Sequence, residues 1–138
     1  MVGELQRLHA ELSAQLDALD ALIAQPEPPM EKLPGVRLAL TRASRARTIF
    51  LTRLYGQLIA RAPSSQKAAL EALRAEANGQ MLASAEHIGS WTLNEIAARW
   101  PEYRAASDKM RAAMRQRIKR EAQLVYPLLA DKDAALVA

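Results

Sequence analysis

The residues of this chain that could do chemistry are polar ones falling on helix faces that should be apolar. His9 lies four residues after Leu5 and three before Leu12, on the border of a leucine stripe. Glu121 is in line with Met114 and Leu128, one helical turn from Arg117 and from Leu124-Val125. Glu76 follows Leu73 by three positions, and His87 neighbours Ser84 and Trp91 on the same stretch. A carboxylate on a buried stripe must be paired, protonated or bound to a cation, because a bare buried charge is very costly. One answer is a metal centre: His supplies a neutral nitrogen, Glu supplies negative charge, and the helices hold both at a fixed height. The other is an ion pair, since Arg117 precedes Glu121 by four residues and the two share a helix face. The ion pair is the stronger of the two readings, with the histidines then serving as hydrogen-bonded structural residues.

Four helices must position these groups. Leu5, Leu8, Leu12, Leu16, Leu19 and Ile23 recur at three- and four-residue steps, which predicts a first helix over about 2–25. Pro26, Pro28, Pro29 and Pro34 stop it and stiffen the connector. A second helix is expected over about 35–62, with Val36, Leu40, Ala43, Ala46 or Arg47, Phe50, Leu54 and Leu58 inward. Ser64 or Ser65 can cap a third helix over about 65–99, whose stripe is Leu70, Leu73, Ala77, Met81, Ser84, Ile88 and Trp91. After Trp100-Pro101 a fourth runs over about 102–130 through Tyr103, Ser107, Met110, Met114, Arg117 or Ile118, Glu121, Leu124 and Leu128, leaving a frayed tail over 131–138. Amphipathic helices joined by short connectors pack antiparallel, so the expected fold is one all-α domain over residues 1–138, an up-down-up-down four-helix bundle.

Composition agrees with this class and excludes others. Half of the residues are apolar, mostly Ala and Leu, which favour helix, and the five glycines are too few for the turns of an all-β fold. The absence of cysteine removes disulfides, zinc–thiolate sites and thiol catalysis together. No apolar run approaches the ~20 residues of a membrane span. The first residues are already amphipathic, so a cytoplasmic location is the expectation. The net charge of +4 is mild and its acidic and basic residues are interspersed, which is weak ground for a nucleic-acid partner.

The stretch Arg117-Ile118-Lys119-Arg120-Glu121-Ala122-Gln123-Leu124-Val125-Tyr126-Pro127-Leu128-Leu129 resembles the last helix of the hemerythrin-like, or HHE cation-binding, family. That helix carries a His, a Glu four positions later, and an apolar segment ending in Tyr-Pro or Phe-Pro and leucines. Arg53-Leu54-Tyr55-Gly56-Gln57-Leu58 looks like the remnant of the family's second copy, and Leu8-His9-Ala10-Glu11-Leu12 matches its first-helix His. For an intact member the resemblance implies a mono- or di-nuclear iron centre handling oxygen or nitric oxide.

The departures from the pattern concern the ligands. Arg117 stands where the last helix should present His, and a guanidinium is always protonated and cannot ligate a cation. Aligning the two Leu-Tyr segments puts the second helix's His and Glu on Ala46 and Phe50, neither of which binds metal. His9, Glu121 and one residue of the third helix survive. Glu86-His87 has the family's local wording. In a continuous helix, however, His87 lies roughly 33 Å from the Ser65 end, against roughly 14 Å for Glu121 from its matching end and about 16 Å for Glu76. Height therefore favours Glu76, and His87 recovers only if the helix breaks at Gly79. The expectation is a vestigial or lost metal site, replaced by Arg117, Ala46 and Phe50, with no cofactor; iron held by His9, Glu121 and Glu76 or His87 is the alternative.

Other classes have less behind them. Without a Gly-rich phosphate loop or a cysteine, and with only two histidines, a hydrolytic or nucleophilic enzyme is not expected. Trp91, Trp100, Tyr103 and Met110 gather where the third helix meets the fourth; they either cap the end of the bundle or line a small-ligand or partner pocket. Arg111, Arg115 and Lys119, with Arg42 and Arg45 nearby, would form a basic outer face. Homodimerisation is open to any exposed apolar strip.

Overall fold

A computed structural model describes residues 1–137, and among them every regular element is helical: α1 (Val2–Ile23), α2 (Leu33–Arg61), α3 (Ser64–Ser90), α4 (Leu93–Ala98) and α5 (Trp100–Val137). No helix is long and apolar enough to cross a membrane.

Local chemistry sets most of the boundaries. The whole expected stripe of α1 is buried, together with His9 and Leu22. Pro34 sits in the first turn of α2, where its fixed φ suits the helix and its missing N–H is not needed. That helix ends because Ala62 is extended, as the residue before a proline prefers. Ser64 and Ser65 do not cap α3; Pro63 holds the cap position and its carbonyl accepts from the Gln66 N–H at 2.8 Å.

Two boundaries differ from expectation. The helix expected over 65–99 is broken at Trp91-Thr92. Thr92 is extended, and its Oγ1 accepts from the Glu95 N–H at 3.2 Å, the geometry of a helix N-cap opening α4. The final helix starts at Trp100, with Pro101 in its first turn, and does not fray at Asp131. It continues to Val137 through Pro127, with the Asp133 carboxylate accepting from the Val2 N–H at 3.0 Å and from the Met1 amino group.

The helices α1 and α3 each pack against α2 and α5, and α4 packs against α5. Opposite directions for α1 and α5 follow from three contacts in series: Met1 with Asp133, His9 with Tyr126, and Asp20 with Arg111. Two apolar clusters result. One joins Leu12, Leu16, Leu19, Leu40 and Ala43 to Ile96, Trp100 and Tyr103. The other joins Leu5, Leu51, Leu54, Tyr55 and Leu58 to Leu70, Leu73, Val125 and Leu129. Each fully buried leucine contributes about 1.5–3 kcal/mol, so either cluster outweighs any single polar contact between them.

The third helix joins only one of these clusters. Beyond Ala77 none of its side chains is buried, and Met81 and Ile88 are 54% and 42% exposed. The apolar spacing of its second half is present, but no neighbour covers it.

Candidate functional site: a buried ionic layer beside an open cleft

A polar layer separates the two apolar clusters. Along α1, His9 lies between Leu5 of one cluster and Leu12 of the other; along α2, Arg47 lies between Ala43 and Leu51; along α5, Arg117 and Glu121 lie between Tyr103 and Val125. All four are buried, at 3%, 3%, 2% and 0% exposure. Arg117 Nε stands 2.9 Å from Glu121 Oε2, and Arg117 Nη2 donates to the Leu73 carbonyl of α3 at 2.8 Å. His9 Nε2 meets Glu121 Oε1 at 2.8 Å, while His9 Nδ1 meets the Tyr126 hydroxyl at 2.6 Å. The tautomer carrying hydrogen on Nε2 completes this chain: Tyr126 O–H donates to Nδ1, and Nε2–H donates to the carboxylate. Arg47 Nε lies 3.8 Å from Glu121 Oε1, an ion-pair distance beyond hydrogen-bond reach.

The layer continues outward through Glu76. Its carboxylate receives Arg120 at 3.0 and 2.5 Å and stands 3.5 Å from Arg117 Nη1. The hydrogen bond from Arg120 holds the Glu76 carboxyl below its usual range. Tyr55, buried on the same side, is pushed up to about 12, by burial first and then by the Glu121 charge.

Metal ligation does not fit these residues. Both His9 nitrogens are hydrogen-bonded, and Glu121 Oε1 is taken by His9. Glu121 Oε2, which has no hydrogen-bond partner, has the positive Arg117 guanidinium at 2.9 Å, a group with no lone pair to offer a cation. Among the described residues no three His, Asp or Glu side chains converge as a cation-binding group. His87 lies elsewhere: α3 runs unbroken through Gly79, and His87 stacks on Tyr103 with ring centroids 5.9 Å apart. Burial, and then the Arg37 charge, hold its pKa below the usual histidine value. Nor do Ala46 and Phe50 replace ligands facing Glu121. Ala46 is exposed and Phe50 half-buried, both lining a shallow hollow with Met1, Glu4 and Arg7. The inward residue of α2 is Arg47, one position away.

The aromatic corner is filled rather than open. Trp100 stacks on Tyr103 at 5.8 Å, Trp91 meets the same ring edge-on at 5.4 Å, and Trp100 Nε1 donates to the Gln25 carbonyl at 3.1 Å. Arg111 is not on an outer face but buried against Asp20 and Asp108, and Arg115 pairs with Asp17 and Asp20 at 2.8 and 2.5 Å. The acidic residues of α1 thus neutralise two rungs of the expected basic ladder.

A cleft that the expected pocket residues touch only through Met110 lies between α2, α3 and α5. It has a volume of about 740 Å³ and is walled by the uncovered apolar face of α3 (Met81, Ile88), by Met110 and Met114 of α5, and by Ile49 of α2. Arg47 and His87 also line it, so the cleft borders the ionic layer. Its size is in the range of small-molecule pockets, roughly 300–1,000 Å³. The sequence signal for it is the third helix's apolar stripe, which reads as core but has no counterpart. Comparison with protein-family models, curated proteins and solved structures finds no match to this chain.

Proposed function

We propose that this protein is an up-down-up-down four-helix bundle of hemerythrin-like type whose metal centre has become a structural ion-pair network. In this reading it acts, without catalysis, as a binding protein for a small and largely apolar molecule. The cyclic packing of α1, α2, α3 and α5, and the shared level of His9 and Glu121 between the two apolar clusters, support the ancestry. The hydrogen bonds at both His9 nitrogens, and the Arg117 guanidinium standing 2.9 Å from Glu121 Oε2, support the loss of the metal.

One observation carries the binding function: an apolar helix face that should be core is left uncovered and walls a 740 Å³ cleft. Exposed apolar surface of this kind marks a ligand or interaction site. Titration with a neutral fluorescent naphthylamine should show uptake of one probe per chain, abolished by Ala113→Phe, which fills the cleft from α5. An absence of uptake, or uptake indifferent to the substitution, would refute the binding reading. One or two metal ions per chain after growth with iron, manganese and zinc, lost in Glu121→Ala, would refute the structural reading of the ionic layer.

A further inference from the structure

We infer that the ligand of the cleft is a small amphipathic carboxylate, its head group bound by Arg47 and its apolar body lying along α3. This rests on the binding function proposed above and specifies its ligand class.

The charge balance of the ionic layer is the first ground. Arg47, Arg117 and Arg120 bring three positive charges, against the two negative charges of Glu121 and Glu76. Arg120 is held by Glu76 and Arg117 by Glu121, at distances of 2.5 to 3.0 Å. Arg47 is left over: its one carboxylate neighbour is 3.8 Å away, and neither its Nε nor its Nη1 has a hydrogen-bond partner. A guanidinium buried to this degree without a close counter-ion is costly, and an anion entering beside it relieves that cost. The second ground is the wall of the cleft. Arg47 lines it, together with Arg45, Arg53 and Lys109, and no Asp or Glu does. A cleft lined by one sign of charge concentrates ligands of the other.

Shape and charge narrow the class further. The buried excess is a single unit, which matches a monoanionic carboxylate better than a phosphate dianion, and carboxylate is a strong charge-assisted partner for arginine. The lining runs from Thr41 to Arg53 on α2 and from Gln80 to Ile88 on α3, a span of roughly 12–18 Å at the helical rise per residue, which suits an extended body. Met81, Ile88, Met110 and Met114 receive that body, methionine being the side chain that best adapts to an irregular ligand. His87, whose Nε2 is buried without a partner, lies toward the Tyr103 end and can donate to or accept from a second polar group at the far end of the ligand, according to its tautomer.

The test compares decanoate with decan-1-ol by calorimetry and by displacement of the neutral naphthylamine. Wild-type protein should prefer decanoate by about tenfold or more, and Arg47→Met, checked as folded by circular dichroism, should lose that preference while still taking the alcohol. Arg45→Ala and Arg53→Ala should keep the preference; its loss there would place the head group at the rim and overturn the assignment, whether or not Arg47→Met folds. Equal affinity for acid and alcohol in the wild type would overturn the carboxylate while leaving the cleft as a binding site. If neither compound binds and no probe is taken up, the underlying binding function falls as well. A stable dimer that admits the probe only on dilution would make a second copy the occupant, and would equally overturn the carboxylate.

Discussion

Glu121 is the residue on which the ionic layer converges. Removing it leaves Arg117 buried without its counter-ion and takes from Arg47 its nearest carboxylate, a change that costs about 3–5 kcal/mol in comparable buried pairs. Glu121→Ala should therefore lower stability by that amount in urea unfolding, and a loss under ~1 kcal/mol would mean that the layer is not structural. Glu121→Gln should fall between wild type and Glu121→Ala, because it keeps hydrogen-bonding capacity and removes only the charge. The Arg117–Glu121 pair was legible in the sequence because both partners ride on one helix, where a spacing of four fixes their relation. Arg47 was not. Whether Ala46 or Arg47 faces inward depends on a rotation of about 100° about the α2 axis. Only packing against α1 and α3 chooses between them.

At the level of single elements, α3 stands apart. Its first half is tied down by Leu70, Leu73 and the bond from Arg117 to the Leu73 carbonyl, whereas its second half buries no side chain. Backbone amides over 80–90 should exchange with deuterium faster than those over 68–77. Gly79 marks the junction, and a Cβ added there meets nothing within 4 Å. Gly79→Ala should therefore stabilise the protein by roughly 0.5–1 kcal/mol through helix propensity alone, measurable as a raised urea midpoint. A loss of stability would show that the glycine serves a close approach or a bend. Apolar spacing told which face of α3 ought to be covered; it could not tell that no helix reaches it. The break before α4 was, by contrast, written locally. Thr92-Leu93-Asn94-Glu95 has the Thr-x-x-Glu form of a helix start, which the longer apolar stripe obscured.

For the whole molecule, the perturbed groups make stability depend on acid. His87 has a lowered pKa in the folded protein, so the unfolded chain binds its proton more readily, and stability falls as pH drops from about 6.5 through the folded value. Glu76, also lowered, contributes stability that is present above about 4.5 and is lost as pH falls through its folded value. The melting temperature should thus decline in two stages on acidification, and His87→Phe should flatten only the first. An unchanged first stage in that variant would remove His87 from the account. Asp17 and Asp20 cover Arg115 and Arg111, so these two residues add no basic face to the net charge of +4, whereas Arg45, Arg53 and Lys109 at the cleft have no acidic neighbour in its lining.

The order of residues was enough for the helical class, the apolar faces of α1 and of most of α5, and the pairing of Arg117 with Glu121. Each of these depends on residues within a few turns of one another, where helix geometry alone sets the neighbours. His9 and Glu121, polar residues falling on otherwise apolar stripes, marked the level of the ionic layer along the chain. Tertiary structure decided the rest: that Arg47 joins the layer, that Glu76 is taken by Arg120, that His87 stacks on Tyr103, and that the second half of α3 stands open. These depend on the rotation and spacing of whole helices, which many weak contacts set together and no local pattern encodes.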